Sequence, residues 1–269
     1  MKTIGLALGG GGARGLCHIA FIQALEALGL KASVVSGTSI GAIVGGYYAA
    51  GVTSGGMHAL VEKINFKNIS KMVDFSIFRS PAVLKGKHIE AFLDDTIPAD
   101  TFEELNIPLK VVATDFWRRT EFVFESGELI PAIRASMSVP AVFEPVKMGS
   151  RILVDGGVMN PVPYDLIRDR CDVLIAIDVS GTRTPHSHDM VPTMFESVIS
   201  TFEIMQESIL ENKLEVSKPD LLVKPELKNF RLLDFHRAEE ILASVRRDVA
   251  QFKHHVEKTM EKKKRFGWF

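Results

Sequence analysis

The sequence predicts an α/β fold, a three-layer arrangement in which a mainly parallel central sheet is flanked by helices. Two observations carry that expectation. Short apolar runs of strand length alternate with stretches whose apolar residues step by three and four, the pattern of a sheet covered on both faces. The first two runs also end in glycine-rich turns that open directly into helical patterns, the strand–turn–helix unit of such sheets. With 269 residues, 46% hydrophobic and 24% charged, the composition fits one globular domain.

Residues 3–8 read as a buried strand, and 13–28 as a helix with Leu16, Ile19, Ala20, Leu25 and Leu28 at helical spacing before Gly29 stops it. Residues 32–36 repeat the strand, 37–41 the turn, and 40–50 a helix halted by Gly51. Further strands are expected at 109–114, 121–124, 151–154, 173–179 and 220–223. No strand is evident between Gly55 and Ile97, where residues 72–78 are rich in large apolar side chains. That stretch reads as helical core, with the wall or lid of an apolar cleft as the alternative. Residues 181–192 have loop composition and are the expected mobile connection. The last pattern, Ala238, Ile241, Leu242, Val245, Val249, Phe252, Val256 and Met260, presents an apolar stripe that should dock on the body or on a partner. The expected domain spans 1–269, with its motifs in 1–180 and C-terminal helical elements plus a basic tail in 190–269.

A net charge of -1 gives no basis for nucleic-acid binding, which relies on clustered positive charge. From Arg246 onward, however, eight basic residues stand against three acidic ones, a local +5. The end, residues 262–269 (KKKRFGWF), is read as a solvated tail or, alternatively, a weak anchor on anionic membrane lipid. Cys17 and Cys171 lack the spacing of a metal site or disulfide framework, so a reduced, cytoplasmic setting is expected. The N-terminal apolar run is broken by four glycines and Arg14, too early for an export signal. No run approaches the roughly 18 apolar residues of a membrane-spanning helix, and a soluble chain, or one peripheral at the inner membrane face, is expected.

The stretch LALGGGGARG, residues 6–15, places Gly10, Gly12 and Gly15 at the G-x-G-x-x-G spacing of a dinucleotide loop. That reading needs a carboxylate at the end of the second strand, and GTSIG stands there instead. G-x-S-x-G sets Ser39 on a sharp strand-to-helix turn, where its hydroxyl is exposed at a helix N-terminus. A glycine turn that merely packs closely has the same sequence. If the first two strands are parallel, the backbone N–H groups of Gly10, Gly11 and Gly12 lie at the same sheet edge as Ser39 and can face an oxyanion. Arg14 then adds charge or holds the loop. A serine hydroxyl needs a base. His18 reads as a packing or hydrogen-bonding residue, whereas His186 and His188 fit the Ser–acid–His order of a triad whose fold places its nucleophile later in the chain. Asp155, ending an apolar strand before two glycines, is the other candidate base, and a turn-capping Asp is its structural alternative.

In this order, GGGGARG at 9–15, GTSIG at 37–41 and DGG at 155–157, with RASMSVP at 134–140 between them, resemble the patatin-like phospholipase family of lipid acyl hydrolases. The likeness is to short bacterial members related to the neuropathy target esterase branch. The resemblance implies a Ser–Asp dyad with Ser39 as nucleophile and Asp155 as base. It also implies an oxyanion hole of Gly10, Gly11 and Gly12, a lipid-ester substrate, and no metal or organic cofactor. Gly9 departs from the Asp that many members carry there. Two competing readings are a nucleotide-binding protein using the glycine loop and a non-catalytic lipid-binding module. On the hydrolase reading, Gly11→Val is expected to reduce turnover while sparing the fold.

Overall fold

The computed structural model describes residues 2–63, 86–182, 184 and 191–265, the last four by backbone alone. The stretches at 72–78 and 185–190, with His186 and His188, lie outside the described residues, as does the end of the tail. Among the described residues eight strands form one sheet: β1 (Ile4–Leu8), β2 (Val34–Thr38), β3 (Leu109–Asp115), β4 (Thr120–Phe124), β5 (Val146–Met148), β6 (Arg151–Asp155), β7 (Val173–Ile177) and β8 (Leu221–Val223). Their order is β5-β6-β3-β2-β1-β7-β8, with β4 paired to β3. Strands β3, β2, β1, β7 and β8 are parallel, whereas β4 and β6 meet β3 antiparallel and β5 meets β6 antiparallel. The sheet is thus mixed at one side, where short hairpin connections replace helical crossovers. Every residue of β1, β2 and β7 is buried, which is why β1 and β7 are apolar without alternation, while in β2 the buried Ser36 and Thr38 hydroxyls donate to the Pro163 and Asn160 carbonyls.

Among the described residues the helices are α1 (His18–Ala27), α2 (Ile40–Ala49), α3 (Ser54–Lys63), α4 (Lys87–Thr96), α5 (Leu129–Ser136), α6 (Met194–Val216), α7 (Ala238–Ser244) and α8 (Arg246–Arg265). The helix expected over 13–28 begins instead as a 3-10 turn, Gly12–Cys17, before α1. The last apolar pattern is likewise two helices, α7 and α8, joined at Val245. Its stripe docks on the body: Ile241, Val245, Phe252 and Val256 are buried, and the Phe252 ring meets Phe21 of α1 edge-on, 5.3 Å between centroids.

Strand β3 positions the site. β4 pairs with Val111 through Asp115 along one edge, so β2 and β6 must both lie on the other. There β2 runs parallel and ends with Thr38 opposite Val112, while β6 runs antiparallel and ends with Asp155 opposite Ala113. Two strands approaching from opposite directions therefore terminate at adjacent rungs of β3. The residue after Thr38 is Ser39.

Helix α2 leaves β2 so abruptly that its first turn presses on β1. A Cβ added at Gly41 would overlap the carbonyl oxygen of Leu8, a backbone atom that cannot yield. Gly41→Ala should destabilise the protein by about 3 kcal/mol or more, or prevent folding, as read by urea unfolding followed by circular dichroism.

Candidate active site

Ser39 holds φ 55° and ψ -123°, a conformation that L-residues occupy only when their surroundings enforce it. The enforcement is visible. Its N–H donates to Ser136 Oγ at 2.9 Å, its carbonyl accepts from Ala42 N and Ile43 N at the start of α2, and Thr38 Oγ1 donates to the Asn160 carbonyl at 2.8 Å. A strained serine at a strand-to-helix elbow carries its hydroxyl away from both elements. Ser39 is buried but lines an apolar cavity of about 170 Å³, whose walls include Ile43, Tyr47, Met137, Val142 and Leu232.

Asp155 sits beside it at the end of β6. Its Oδ1 accepts from Gly157 N at 2.7 Å, its backbone N–H donates to the Ser138 carbonyl, and its own carbonyl accepts from Thr114 Oγ1 at 3.0 Å. The capping role and a chemical role therefore coexist, because capping uses only one carboxylate oxygen. Oδ2 is buried with no hydrogen-bond partner among the described residues. The Ser39 hydroxyl is near enough to favour the charged carboxylate without meeting hydrogen-bond geometry. Burial dominates and pushes the Asp155 carboxyl up to about 6, against the opposing pull of Ser39 and Gly157.

The glycine loop is tied down peptide by peptide. Gly9 N donates to Ile177 O, Gly10 N to Pro161 O and Ala13 N to Leu232 O. Gly10 N–H is thus already engaged, while those of Gly11 and Gly12 have no partner among the described residues. His18 Nε2 donates to Gly9 O at 2.9 Å, and Arg14 Nε donates to Gly11 O at 3.1 Å. In a planar trans peptide, holding the Gly11 carbonyl one way turns the Gly12 N–H the other way. Arg14 is anchored in turn by Glu203 of α6, 2.6 Å from its Nη2.

His18 is fully buried, and burial lowers its pKa to about 4. It is a neutral strut whose Nδ1 finds no partner among the described residues. The expected behaviour of Gly11→Val needs correction: a Cβ at Gly11 would lie 2.6 Å from the Val179 carbonyl oxygen, so this substitution strains the fold as well as the site. At Gly10 a Cβ would stand 3.4 Å from that of Ser39, ordinary contact. A pyrophosphate would need several free amides at an α-helix start, whereas this loop enters a 3-10 turn with one amide already bonded.

Ser136 and Ser138 were visible only as part of the 134–140 motif, with no role attached. They clamp Ser39 and Asp155 from one short segment. Buried Arg134 braces it, donating to Ser138 Oγ at 2.6 Å. The Arg14–Glu203 pair spans 189 positions, which no local pattern signals. Elsewhere among the described residues, His58, Glu62 and Glu239 bring ligand atoms within 4.8 Å of one another at more open positions.

Residues 6–167 match the patatin-like phospholipase family. This chain belongs to that family. It is 35% identical over 192 residues to an uncharacterized NTE family protein of Mycobacterium tuberculosis, covering 71% of this chain and 53% of that one. It is 28% identical over 265 residues to lysophospholipase NTE1 of Saccharomyces cerevisiae, covering 89% of this chain and 16% of that one. The chain thus spans about half the length of its mycobacterial relative. The fold is similar to that of VipD from Legionella pneumophila, with a TM-score of 0.51 and 14% identity over 93% of this chain and 67% of that one. Among the described residues no helix is long and apolar enough to cross a membrane.

The buried Asp155 has a thermodynamic consequence. Its carboxyl moves from 3.8 to about 6 on folding, so the unfolded chain releases this proton first as pH rises. The stability contributed by the neutral acid is complete below pH 3.8 and is lost as pH climbs through 6. Asp155→Asn keeps an acceptor for Gly157 N and carries no charge. Relative to wild type it should gain up to about 3 kcal/mol at pH 7 to 8 and little at pH 4, as measured by urea unfolding at the two pH values.

Proposed function

We propose that this chain is a serine lipid acyl hydrolase that works through a Ser39–Asp155 dyad and an acyl-enzyme intermediate. The observation that carries the proposal is the strained Ser39 elbow ending at the β3 rung next to Asp155. Asp155 accepts the Ser39 proton as the hydroxyl oxygen attacks the ester carbonyl, and the protonated acid then supplies the proton of the departing alcohol. Water deprotonated by Asp155 attacks the acyl-enzyme, releasing the fatty acid and restoring Ser39. A carboxyl pushed up to about 6 suits both directions of transfer.

The oxyanion forms within reach of the glycine loop. Gly11 and Gly12 are the proposed donors, since their N–H groups have no partner among the described residues, and each such donor is worth roughly 3 kcal/mol in the transition state. Gly10, expected as a third, has its N–H on Pro161 and is not among the proposed donors. Arg14 holds the donor peptide in orientation through Gly11 O.

The proposed substrate is a fatty-acyl ester of a phospholipid or lysophospholipid. Support comes from the apolar cavity that Ser39 lines, which receives a hydrocarbon chain, and from the lysophospholipase activity named for the yeast relative. The basic residues from 262 onward are proposed as a weak contact with anionic lipid. Ser39→Ala and Asp155→Asn should each lower kcat on a p-nitrophenyl acyl ester by at least about 1,000-fold. Near-wild-type turnover by Asp155→Asn, with the expected gain in its stability, would remove Asp155 from the mechanism.

A further inference from the structure

Strand β3 does not stop at the site. It continues past the Asp155 rung through Asp115 and turns into β4 by the four residues Phe116–Arg119. Phe116 follows Ala113 by three positions, about 10 Å of strand, so this tip lies beyond the rungs at which Ser39 and Asp155 meet, flanked by the start of β6, where Phe116 N donates to Ile152 O at 2.8 Å. Its crown is apolar and open: Phe116 is 50% and Trp117 75% exposed, their rings packed edge-on at 4.9 Å. Exposed aromatic residues at a hairpin tip are costly in water unless something covers them.

The base of the tip is built and rigid. Asp115, 1% exposed, accepts from Arg118 Nη1 and Arg151 Nη1, each at 2.8 Å, and takes the Arg118 backbone N–H as well. Arg118 and Arg151 hold its carboxyl down at about 2, so it stays charged. Arg119 N donates to Asp115 O, and Arg119 holds φ 56°. Three guanidinium groups against one carboxylate leave the tip with a net charge of +2. Aromatic side chains ringed by arginine match the boundary between headgroups and acyl chains, with cations paired to anionic headgroups.

We propose that residues Phe116–Arg119 form a docking tip that inserts into an anionic lipid surface and sets the catalytic edge of the sheet toward it. The inference rests on the lipid-substrate reading, but its binding step needs no turnover. An apolar crown that enters the interface while Arg118 and Arg119 stay among headgroups holds the catalytic edge of the sheet near the lipid surface. This contact is formed by the folded body and is independent of the chain's C-terminal end.

Trp117 and Trp268 are the only tryptophans, so Trp268→Phe in the full chain leaves Trp117 as the reporter. In this variant, also carrying Ser39→Ala to prevent hydrolysis, Trp117 emission should shift to the blue on equimolar phosphatidylcholine–phosphatidylglycerol vesicles. The shift should fade with added salt and be weaker on phosphatidylcholine alone. In otherwise wild-type chains, Trp117→Ala should weaken vesicle cosedimentation about tenfold. Arg119→Asn, which tolerates the left-handed backbone, should weaken it about fivefold. Both should retain hydrolysis of a soluble short-chain ester. An unshifted Trp117 spectrum, or unchanged cosedimentation of Trp117→Ala, would overturn the docking tip and leave its crown to a protein partner. Loss of soluble-ester hydrolysis only in Ser39→Ala would still uphold the hydrolase reading.

Discussion

The site depends on one constraint of sheet geometry, the sharing of a single edge of β3 by two strands that approach from opposite ends. Because β4 occupies the other edge, β2 and β6 terminate at Val112 and Ala113. Ser39 and Asp155, 116 positions apart in sequence, are brought together by backbone pairing, without any loop that must find its place. The rest of the site serves that meeting point. Ser136 and Ser138 hold the two residues from one segment, and Gly41 lets α2 turn away against β1 with no side chain in between.

The arrangement is held against its own local preferences. Ser39 keeps a backbone conformation that costs on the order of 1 to 3 kcal/mol, and Asp155 keeps a carboxylate oxygen buried without a partner among the described residues. Burial of β1, β2 and β7 on both faces offsets such costs. His18 adds an opposing acid-side limit: with its pKa lowered to about 4, it contributes stability that is lost as pH falls from 6.5 toward 4. Between those values the two buried groups pull stability in opposite directions.

Much of the fold was legible because strand and helix differ in period and because glycine has few other reasons to recur at strand ends. The strands β1, β2, β3, β4, β6, β7 and β8, and the elbow at Ser39, follow from such local signals. On the antiparallel side β5 did not, since a three-residue strand has no period to read. Nor did the long-range ties: Gly10 N to Pro161 O, Ala13 N to Leu232 O and Arg14 to Glu203 join segments that no pattern connects. Those ties decide which glycine amides are free, so the loop was recognisable from sequence but its donor set was not. The exposed pair Phe116 and Trp117 reads in sequence as ordinary apolar residues, and only the hairpin shows that they face outward.

The central claim is that Asp155, and no histidine, takes the proton from Ser39. The most direct measurement is the pH dependence of kcat/KM for a soluble ester in a His186→Ala/His188→Ala variant, which reports the ionisations of the free enzyme. The account predicts near-wild-type activity with an acid limb at about 6, the value to which burial pushes Asp155. Loss of activity in that variant, or an acid limb at the ordinary carboxylate value near 4, would contradict it.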